Sequence, residues 1–512
     1  MTNEELYYLP ASELLKHIQA EKERLIKEKI IKKPKELPPI TDEEKPYDLP
    51  EGWEWVRLGD IVSITSGLSY KKPQLTVESN DMVRVLRGGN ISDMNYCYKK
   101  DDIFISREFV NEQLLLKKYD IITPAVTSYE HVGKSSLILE DLSDVVVGGF
   151  VLFIRGYLDN AILLKNVFYF INTTEFKDIC KSITNKSGQA FYNLSREKLA
   201  MQLIPLPPLY IQDQIVQKLE QLSKTKDSLL SHADYQFNYT KKMRESLLQE
   251  AIRGELVPQD ENDEPASILL EKIKTEKERL IKEKVIKKPK ELPPITEEEK
   301  PYDLPEGWEW VRLGELYNVL GGKRLPKGMK FSETPTKYVY LRVADMKNGG
   351  IDGNNLQYIS KEIHEKIKNY TINKEDLYLT IAGTIGRVGI ISDTLDGANL
   401  TENACKLSPF FKLIDKKFMY YMLNSAYIQE VFIDKQTQSA QPKLAIMRIQ
   451  TTVLPLPPLA EQERIVAKLD GLMANCDQLE AKAEEMKNYT SKLFEASLKE
   501  AFMPLNNNDE ED

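Results

Sequence analysis

Cysteine and histidine are scarce in this chain: four of each in 512 residues. Cys97, Cys180, Cys405 and Cys476 stand alone, with no CxxC and no paired spacing, and no histidine has another histidine or a cysteine within metal-ligand reach. No disulfide framework and no metal site is expected, and reduced cytosol is the compartment that suits this usage. No apolar run of about 18 residues occurs, and Met1–Ile18 lacks a basic start followed by an apolar core, so neither a membrane span nor a secretory signal is expected. Tryptophan is confined to four positions, all in two Trp-Glu-Trp pairs at Trp53/Trp55 and Trp308/Trp310.

Acid exceeds base overall, for a net charge of −9, which at first argues against a polyanionic partner. The excess is uneven. Residues 306–454 carry 20 Lys+Arg against 16 Asp+Glu, residues 51–204 carry 18 against 19, and residues 455–512 carry 6 against 13. A locally basic surface can hold phosphates whatever the total charge, so the balance permits nucleic acid without requiring it.

What is present is duplication. Glu21–Gly59 recurs as Glu276–Gly314 at an offset of 255, with 37 of 39 positions identical and only Ile30/Val285 and Asp42/Glu297 differing. A second echo at an offset of 250 returns Pro205-Leu206-Pro207-Pro208-Leu209 as Pro455–Leu459, and Asn238-Tyr239-Thr240 as Asn488-Tyr489-Thr490. Ile61–Ile204 and Leu316–Leu454, between the shared stretches, diverge strongly. A period this long makes each unit a domain rather than a solenoid turn. A frame kept constant around contents that differ suits the reading of two different targets at a fixed separation.

Each unit has the same order of parts. A charged helix (Ser12–Lys29, then Ser267–Lys284) carries Glu and Lys at spacings of three and four, as solvated helices do. A proline-punctuated connector follows, which must run extended. Trp53–Leu58 and Trp308–Leu313 alternate like strands, and their tryptophans are read first as packing that docks connector onto domain. Each variable domain is mixed, with strands expected at Met82–Leu86, Val145–Arg155, Tyr338–Val343, Leu377–Ala382 and Val388–Ser392. Behind each PLPPL a long helix carries an apolar stripe in alternating steps of four and three. The first stripe is Ile215, Leu219, Leu222, Leu229, Ala233, Met243, Leu247 and Ala251, broken at Lys226 and Gln236. The second runs through Ile465, Leu469, Leu472, Cys476, Leu479, Ala483, Met486, Leu493 and Ala501. Such stripes need a partner, and the economical one is the other helix. The fold class is therefore α/β (α+β): two mixed domains separated by two long helices pairing as an antiparallel coiled coil, with an internal pseudo-twofold repeat. The segments are 1–50 (helix and connector), 51–204 (first variable domain), 205–256 (spacer helix), 257–305 (repeated helix and connector), 306–454 (second variable domain) and 455–512 (second long helix and acidic tail).

Candidate contacts lie in loops. Ser128–Ser135 resembles a phosphate-binding loop without its leading glycine, and its counterpart Gly383–Val388 has Gly-Arg-Val where Gly-Lys-Ser is needed, so a nucleotide site is not expected. Both copies do keep a glycine before a cation, Gly133-Lys134 and Gly386-Arg387 beside Thr384. That pair can approach phosphates or base edges, or be an ordinary strand turn. Gly322, Lys323, Arg324 and Lys327, with Tyr70, Lys71 and Lys72 in the first copy, make basic loops suited to phosphates and guanine edges, or simply solvated loops. Arg87 with Asn90, and Arg342, occupy matching places, where an internal ion pair is the alternative to contact with DNA. Gln189, Tyr192 and Asn193, and Gln441 with Lys443, are polar groups near each domain's end of the kind that suits adenine. No catalytic residue is assigned. The chain has no NPPY-like tetrapeptide, no FxGxG, no DEAD box and no D…ExK in a strand setting.

Taken together, EKERLIKEKIIKKPKELPPIT…LPEGWEWVRLGDI, the Gly-Thr-Ile-Gly-Arg turn and PLPPLAEQERIVAKLD (Pro455–Asp470) resemble the specificity subunit of type I restriction–modification enzymes, across essentially the whole chain. The first PLPPL element departs from the family pattern, reading Leu209-Tyr210-Ile211-Gln212-Asp213-Gln214. The resemblance implies two target-recognition domains, each reading half of a bipartite double-stranded DNA sequence, with the helix pair setting the gap. It implies two methyltransferase subunits docked on the conserved regions, for which Ile215, Leu219, Leu222, Ile465, Leu469 and Leu472 are the candidate contacts. It further implies two restriction/translocase subunits, and S-adenosylmethionine, ATP and Mg2+ used by those partners with no cofactor in this chain. Bacterial or archaeal cytoplasm is the implied location. The near-identical repeats also suggest that recombination between them could exchange one variable domain. Two other classes compete: a fusion that methylates or cuts by itself, and a scaffold binding proteins or sugars on a rod. Salt-dependent affinity for DNA separates the last from a DNA reader.

Overall fold

The computed structural model describes residues 3–76, 81–187, 190–412, 414–436 and 442–503. Two compact units result, Met1–Ala233 with Glu484–Asp512, and Asp234–Ala483. Among the described residues, no helix is long and apolar enough to cross a membrane.

In the first unit the charged helix spans Ala11–Lys27 and ends before Lys29, which turns to φ 59°. Its outer face is laced by Arg24, which contacts Glu21 and Glu28. Its inner face buries Ala11, Leu14 and Ile18 against Val56, Leu58 and Ile61. The connector then runs extended, interrupted by one tight turn at Asp42–Glu44. Strand Glu54–Arg57 pairs antiparallel with Leu203–Leu206, so the end of the long repeat is zipped to the start of PLPPL. The frame closes on itself around the variable region.

Two four-stranded sheets build that variable region. One orders Val62–Ser66, Val151–Gly156, Ile121–Pro124 and Ser136–Leu137; the other orders Leu75–Thr76, Ile103–Ser106, Met82–Leu86 and Val145–Val147, the last two parallel. The strand expected at Val145–Arg155 is thus two strands in two sheets, separated by the turn Gly148–Phe150. An apolar run continuous in sequence looks like one strand by periodicity alone.

The second unit repeats the plan. Helix Ala266–Lys282 buries Ala266, Leu269 and Ile273, and strand Glu309–Arg312 pairs with Val453–Leu456. One sheet orders Tyr317–Gly321, Ala404–Pro409, Leu377–Thr380 and Val388–Ile390. The other orders Gln357–Tyr358, Val339–Leu341, Ala398–Leu400 and Thr371–Ile372, with Val339–Leu341 parallel to Ala398–Leu400. The expected strands Tyr338–Val343, Leu377–Ala382 and Val388–Ser392 are present, but each ends two residues earlier.

The long helices are Leu209–Arg253 and Leu459–Glu500. In the first unit Val216 and Leu219 share a core with Phe494, Leu498 and Phe502. In the second, Ala251 and Ile252 share one with Ile465, Val466 and Leu469. The start of one helix therefore meets the end of the other in both units, which is antiparallel pairing. The stripes need correcting at two places. Leu229 is 38% and Leu493 51% exposed, whereas Phe494 is buried. An α-helix turns every 3.6 residues and drifts away from a strict seven-residue register. At Lys226, where the first stripe is broken, the ammonium lies 4.3 Å from the Phe494 ring centroid.

Candidate nucleic-acid interface

Four main-chain hydrogen bonds gather the loops at one edge of the first variable domain. Gly67 N–H donates to Val151 (2.9 Å), Leu68 to Val147 (2.7 Å), Gly148 to Leu86 (2.8 Å) and Ala125 to Phe150 (2.8 Å). The second domain makes the same four: Gly322 to Ala404 (3.0 Å), Lys323 to Leu400 (2.8 Å), Thr401 to Leu341 (3.1 Å) and Ile381 to Asn403 (2.8 Å). In each case the loops leave the carboxyl ends of the two parallel strands and meet there. The first glycine of each set is dictated by contact. A Cβ on Gly67 would lie 2.2 Å from the Val147 carbonyl oxygen, and one on Gly322 2.1 Å from that of Thr401. Only a hydrogen fits, so both sequences keep glycine while their neighbours diverge.

This edge collects most of the candidate residues. In the first domain Tyr70 is half-buried beside Gly148, while Lys71 and Lys72 are exposed and have no ion pair among the described residues. Tyr192 sits on strand Phe191–Asn193, which pairs with Val126–Thr127, and its ring lies 5.0 Å from that of Tyr129; Asn193 is exposed. In the second domain Lys323, Lys327 and Thr384 are exposed, as is Arg387, which donates to the Met346 carbonyl at 3.1 Å. Lys323 lies 5.6 Å from the Tyr370 ring centroid. Arg324 is exposed but donates to Glu402 at 2.6 Å. Burial pushes the Glu402 carboxyl up, yet Arg324, the backbone and Thr401 together hold it below the ordinary carboxylate value. Lys443 is exposed and bridges to Ala382. Gln189 and Gln441 lie outside the described residues.

Several candidates are committed inside the domain instead. Asn90 is 2% exposed, and its amide donates to the Cys97 carbonyl (3.0 Å) and to Asp102 (2.6 Å). Arg342 donates to both oxygens of Asp345 and to the Asn355 carbonyl. Arg87 donates to Asp101 but remains partly exposed. Gly133 and Gly386 both adopt positive φ and sit against helices, near Lys177 and Gln429 respectively, so their turns are tied to the domain body. Lys134 follows half-buried with its carbonyl accepting from Thr123. The six stripe residues expected to dock partners are partly or wholly covered within the chain. Leu219, Ile465 and Leu469 are at most 1% exposed, and Ile215, Leu222 and Leu472 are half-buried, because the chain's own helices and domains consume their apolar surface.

Other residues escaped the sequence reading. Lys99 and Lys100 are exposed on a loop that Asn90 and Arg87 draw up to this edge, and the Lys99 ammonium lies 3.5 Å from where a Gly89 Cβ would be. No spacing rule in the sequence reveals that closeness. Phe150 is 74% exposed at the tip of the edge, with Tyr129 51% and Phe191 54% exposed. An exposed phenylalanine inside an apolar run looks like core until the chain is seen to turn there.

One loop scaffold, built twice and carrying different side chains, defines a class: a two-headed reader in which a constant frame presents two variable edges. The chain belongs to the specificity subunits of type I restriction–modification systems. The family described as Type I restriction modification DNA specificity domain matches twice, at residues 50–232 and 305–487. The chain is similar to the type I restriction enzyme EcoAI specificity subunit of Escherichia coli, 30% identical over 517 residues that cover 92% of this chain and 86% of that one. It is 25% identical to the EcoEI specificity subunit of the same species, covering 93% and 86%. To the MjaVIII specificity subunit of Methanocaldococcus jannaschii it is 22% identical, covering 83% and 87%. A solved chain from work on complex assembly and conformational transition of the type I R-M system shares the fold, with TM-score 0.63 and 19% identity over 89% of this chain and 99% of that one.

Proposed function

We propose that this subunit reads a bipartite duplex DNA sequence, one half with each loop edge, and sets the gap with its long helices. The observation that carries this is the repeated main-chain ladder at Gly67 and Gly322, which holds backbone constant while side chains differ. Lys71, Lys72, Lys99 and Lys100 on one edge, and Lys323, Lys327 and Arg387 on the other, supply phosphate contacts. Phosphate contacts position a reader, and base contacts specify its site. Catalysis is assigned to partners: two methyltransferase subunits using S-adenosylmethionine and two restriction/translocase subunits using ATP and Mg2+. With Leu219, Ile465 and Leu469 buried, methyltransferase docking is assigned chiefly to exposed frame surface, where Tyr235 and Tyr239 stand 70% and 59% exposed with their rings stacked 6.3 Å apart.

Coexpression with a cognate methyltransferase subunit and long-read mapping of N6-methyladenine tests this. One motif of two short specified blocks around a fixed gap is expected. A stable complex that methylates nothing, or methylates without a fixed gap, overturns the reading and favours a scaffold. On DNA carrying the motif, removing Lys71 or Lys72 should weaken binding to all sequences alike and reduce the salt slope by roughly 0.9 per lost phosphate contact.

A further inference from the structure

Phe150 is presented rigidly and in the open. Its carbonyl accepts from Ala125 (2.8 Å) and Val126 (3.3 Å), and the turn before it is closed by Val151 N–H donating to Gly148 (2.8 Å). Gly149 is packed so closely that an added Cβ would sit 3.1 Å from Ser69 Oγ. With the backbone pinned on three sides, the ring still points into solvent. An exposed aromatic ring on a pinned backbone has only its two side-chain torsions to lose when it is covered, which suits a binding anchor.

The second domain holds the same place with the same bonds and a different residue. The Asn403 carbonyl accepts from Ile381 (2.8 Å) and Ala382 (3.2 Å), and Ala404 N–H donates to Thr401 (3.2 Å). The Asn403 carboxamide has no hydrogen-bond partner among the described residues. One backbone cradle thus carries a group with no donor or acceptor in one copy, and a bidentate donor–acceptor in the other.

We propose that Phe150 and Asn403 are matched specificity-determining residues, a deepening that rests on the DNA-reading function proposed above. Phe150 packs on the 5-methyl edge of a thymine in one half-site. Asn403 pairs with the N6/N7 edge of an adenine in the other. These are the base features that an apolar ring and a carboxamide can each distinguish in the major groove.

The test uses the full chain coexpressed with its methyltransferase subunit. Phe150→Asn should change the preferred base at one thymine position of one half-site, with the other half-site and the gap unchanged. Asn403→Phe should do the converse. In binding assays on the mapped site, deoxyuridine in place of that thymine should weaken the wild type roughly fourfold, the worth of one buried methyl group, and leave Phe150→Ala unaffected. Phe109→Ala serves as the control. Phe109 is 45% exposed and follows strand Ile103–Ser106, whose end pairs with Met82, so it lies at the strand end away from Leu86. An unchanged motif and rate in Phe150→Asn, with melting temperature preserved, would overturn the assignment, as would equal sensitivity of wild type and Phe150→Ala to deoxyuridine. A wild-type complex that yields no bipartite motif would instead overturn the functional reading beneath it.

Discussion

Arg57 donates from Nη2 to both carboxylate oxygens of Glu44, at 3.0 and 3.1 Å, while its remaining nitrogens reach the carbonyls of Pro38 and Met201. Arg312 makes the matching clamp in the second unit, its Nη1 and Nη2 each donating to one Glu299 oxygen (3.0 and 2.8 Å) while Nε reaches the Pro293 carbonyl and Nη1 that of Thr451. Each arginine is 2% exposed. Proline-rich connectors have few N–H groups with which to join a sheet, so their carbonyls need donors from elsewhere. One arginine supplies them and fastens connector, strand and variable domain at a single point.

Removing it should be costly. Arg57→Ala leaves the Pro38 and Met201 carbonyls without their donor, and the loss should be about 2–4 kcal/mol, scaled down from a fully buried pair because Glu44 is 41% exposed. Arg57→Lys should recover only part of it, since an ammonium cannot reproduce the planar fork. Urea unfolding of both variants checks this; a loss below about 0.5 kcal/mol would deny the clamp its role.

The same contact predicts an acid dependence. Hydrogen bonding from Arg312, opposed by burial, holds Glu299 below its ordinary value of 4.5. A carboxylate depressed in the folded state adds stability above its unfolded pKa, and that stability is lost as pH falls through the lower folded value. The wild-type urea midpoint should therefore decline as pH drops below about 4.5, and Glu299→Gln should lower the neutral plateau and flatten the acid part of the curve, because the ion pair it removes is present only above that range. An identical acid slope in the variant would place the protons elsewhere.

The two glycines at the loop edges carry a half-site-specific prediction. Gly67→Ala forces a Cβ against a backbone oxygen that cannot swing aside, which should destabilise the first domain by about 2–4 kcal/mol. Gly322→Ala should do so in the second. Each should impair recognition of its own half-site first. Gly350→Ala, with nothing within 4 Å of the new methyl, should be close to neutral. Melting curves and motif mapping on all three variants would show whether the edge depends on these close approaches.

Much of this architecture was legible because it rests on short-range rules. Met82–Leu86 alternates and forms a strand over the residues expected, and the charged helices fall within two residues of their expected bounds. The site was less legible because it is assembled from afar. Asn90 has the chemistry of a base reader, yet Cys97 and Asp102 claim its amide, 7 and 12 residues away. Phe150 has the composition of core and stands in solvent, because two strands that look like one part company at Gly148. Leu493 and Phe494 exchange roles because the helix pitch, rather than the heptad, decides which side chain meets the seam. Residue type proposes a contact; only tertiary competition for that side chain decides whether it remains available.

Part of the frame's hold on each variable domain runs through main-chain atoms. Leu58 N–H donates to the Gln202 carbonyl and Leu313 N–H to that of Thr452. Such contacts do not depend on the side chains that differ between copies. A chimera carrying residues 315–454 in place of 60–204 should therefore fold, and its methylated motif should repeat the second half-site twice. Insolubility of the chimera, with both parents soluble, would show that the frame distinguishes its contents.

The length of the helices makes the last prediction. A four-residue insertion near Leu230 lengthens a helix by about 6 Å and is the insertion that a heptad seam absorbs by unwinding locally. The rise of duplex DNA is about 3.4 Å per base pair, so the added length corresponds to roughly two base pairs. The specified blocks should be unchanged, because neither loop edge is altered, while the gap between them grows by one or two. Mapping N6-methyladenine in cells carrying the insertion variant reads both quantities at once. A gap that stays constant while methylation persists would mean that the helices hold the readers without measuring the distance between half-sites.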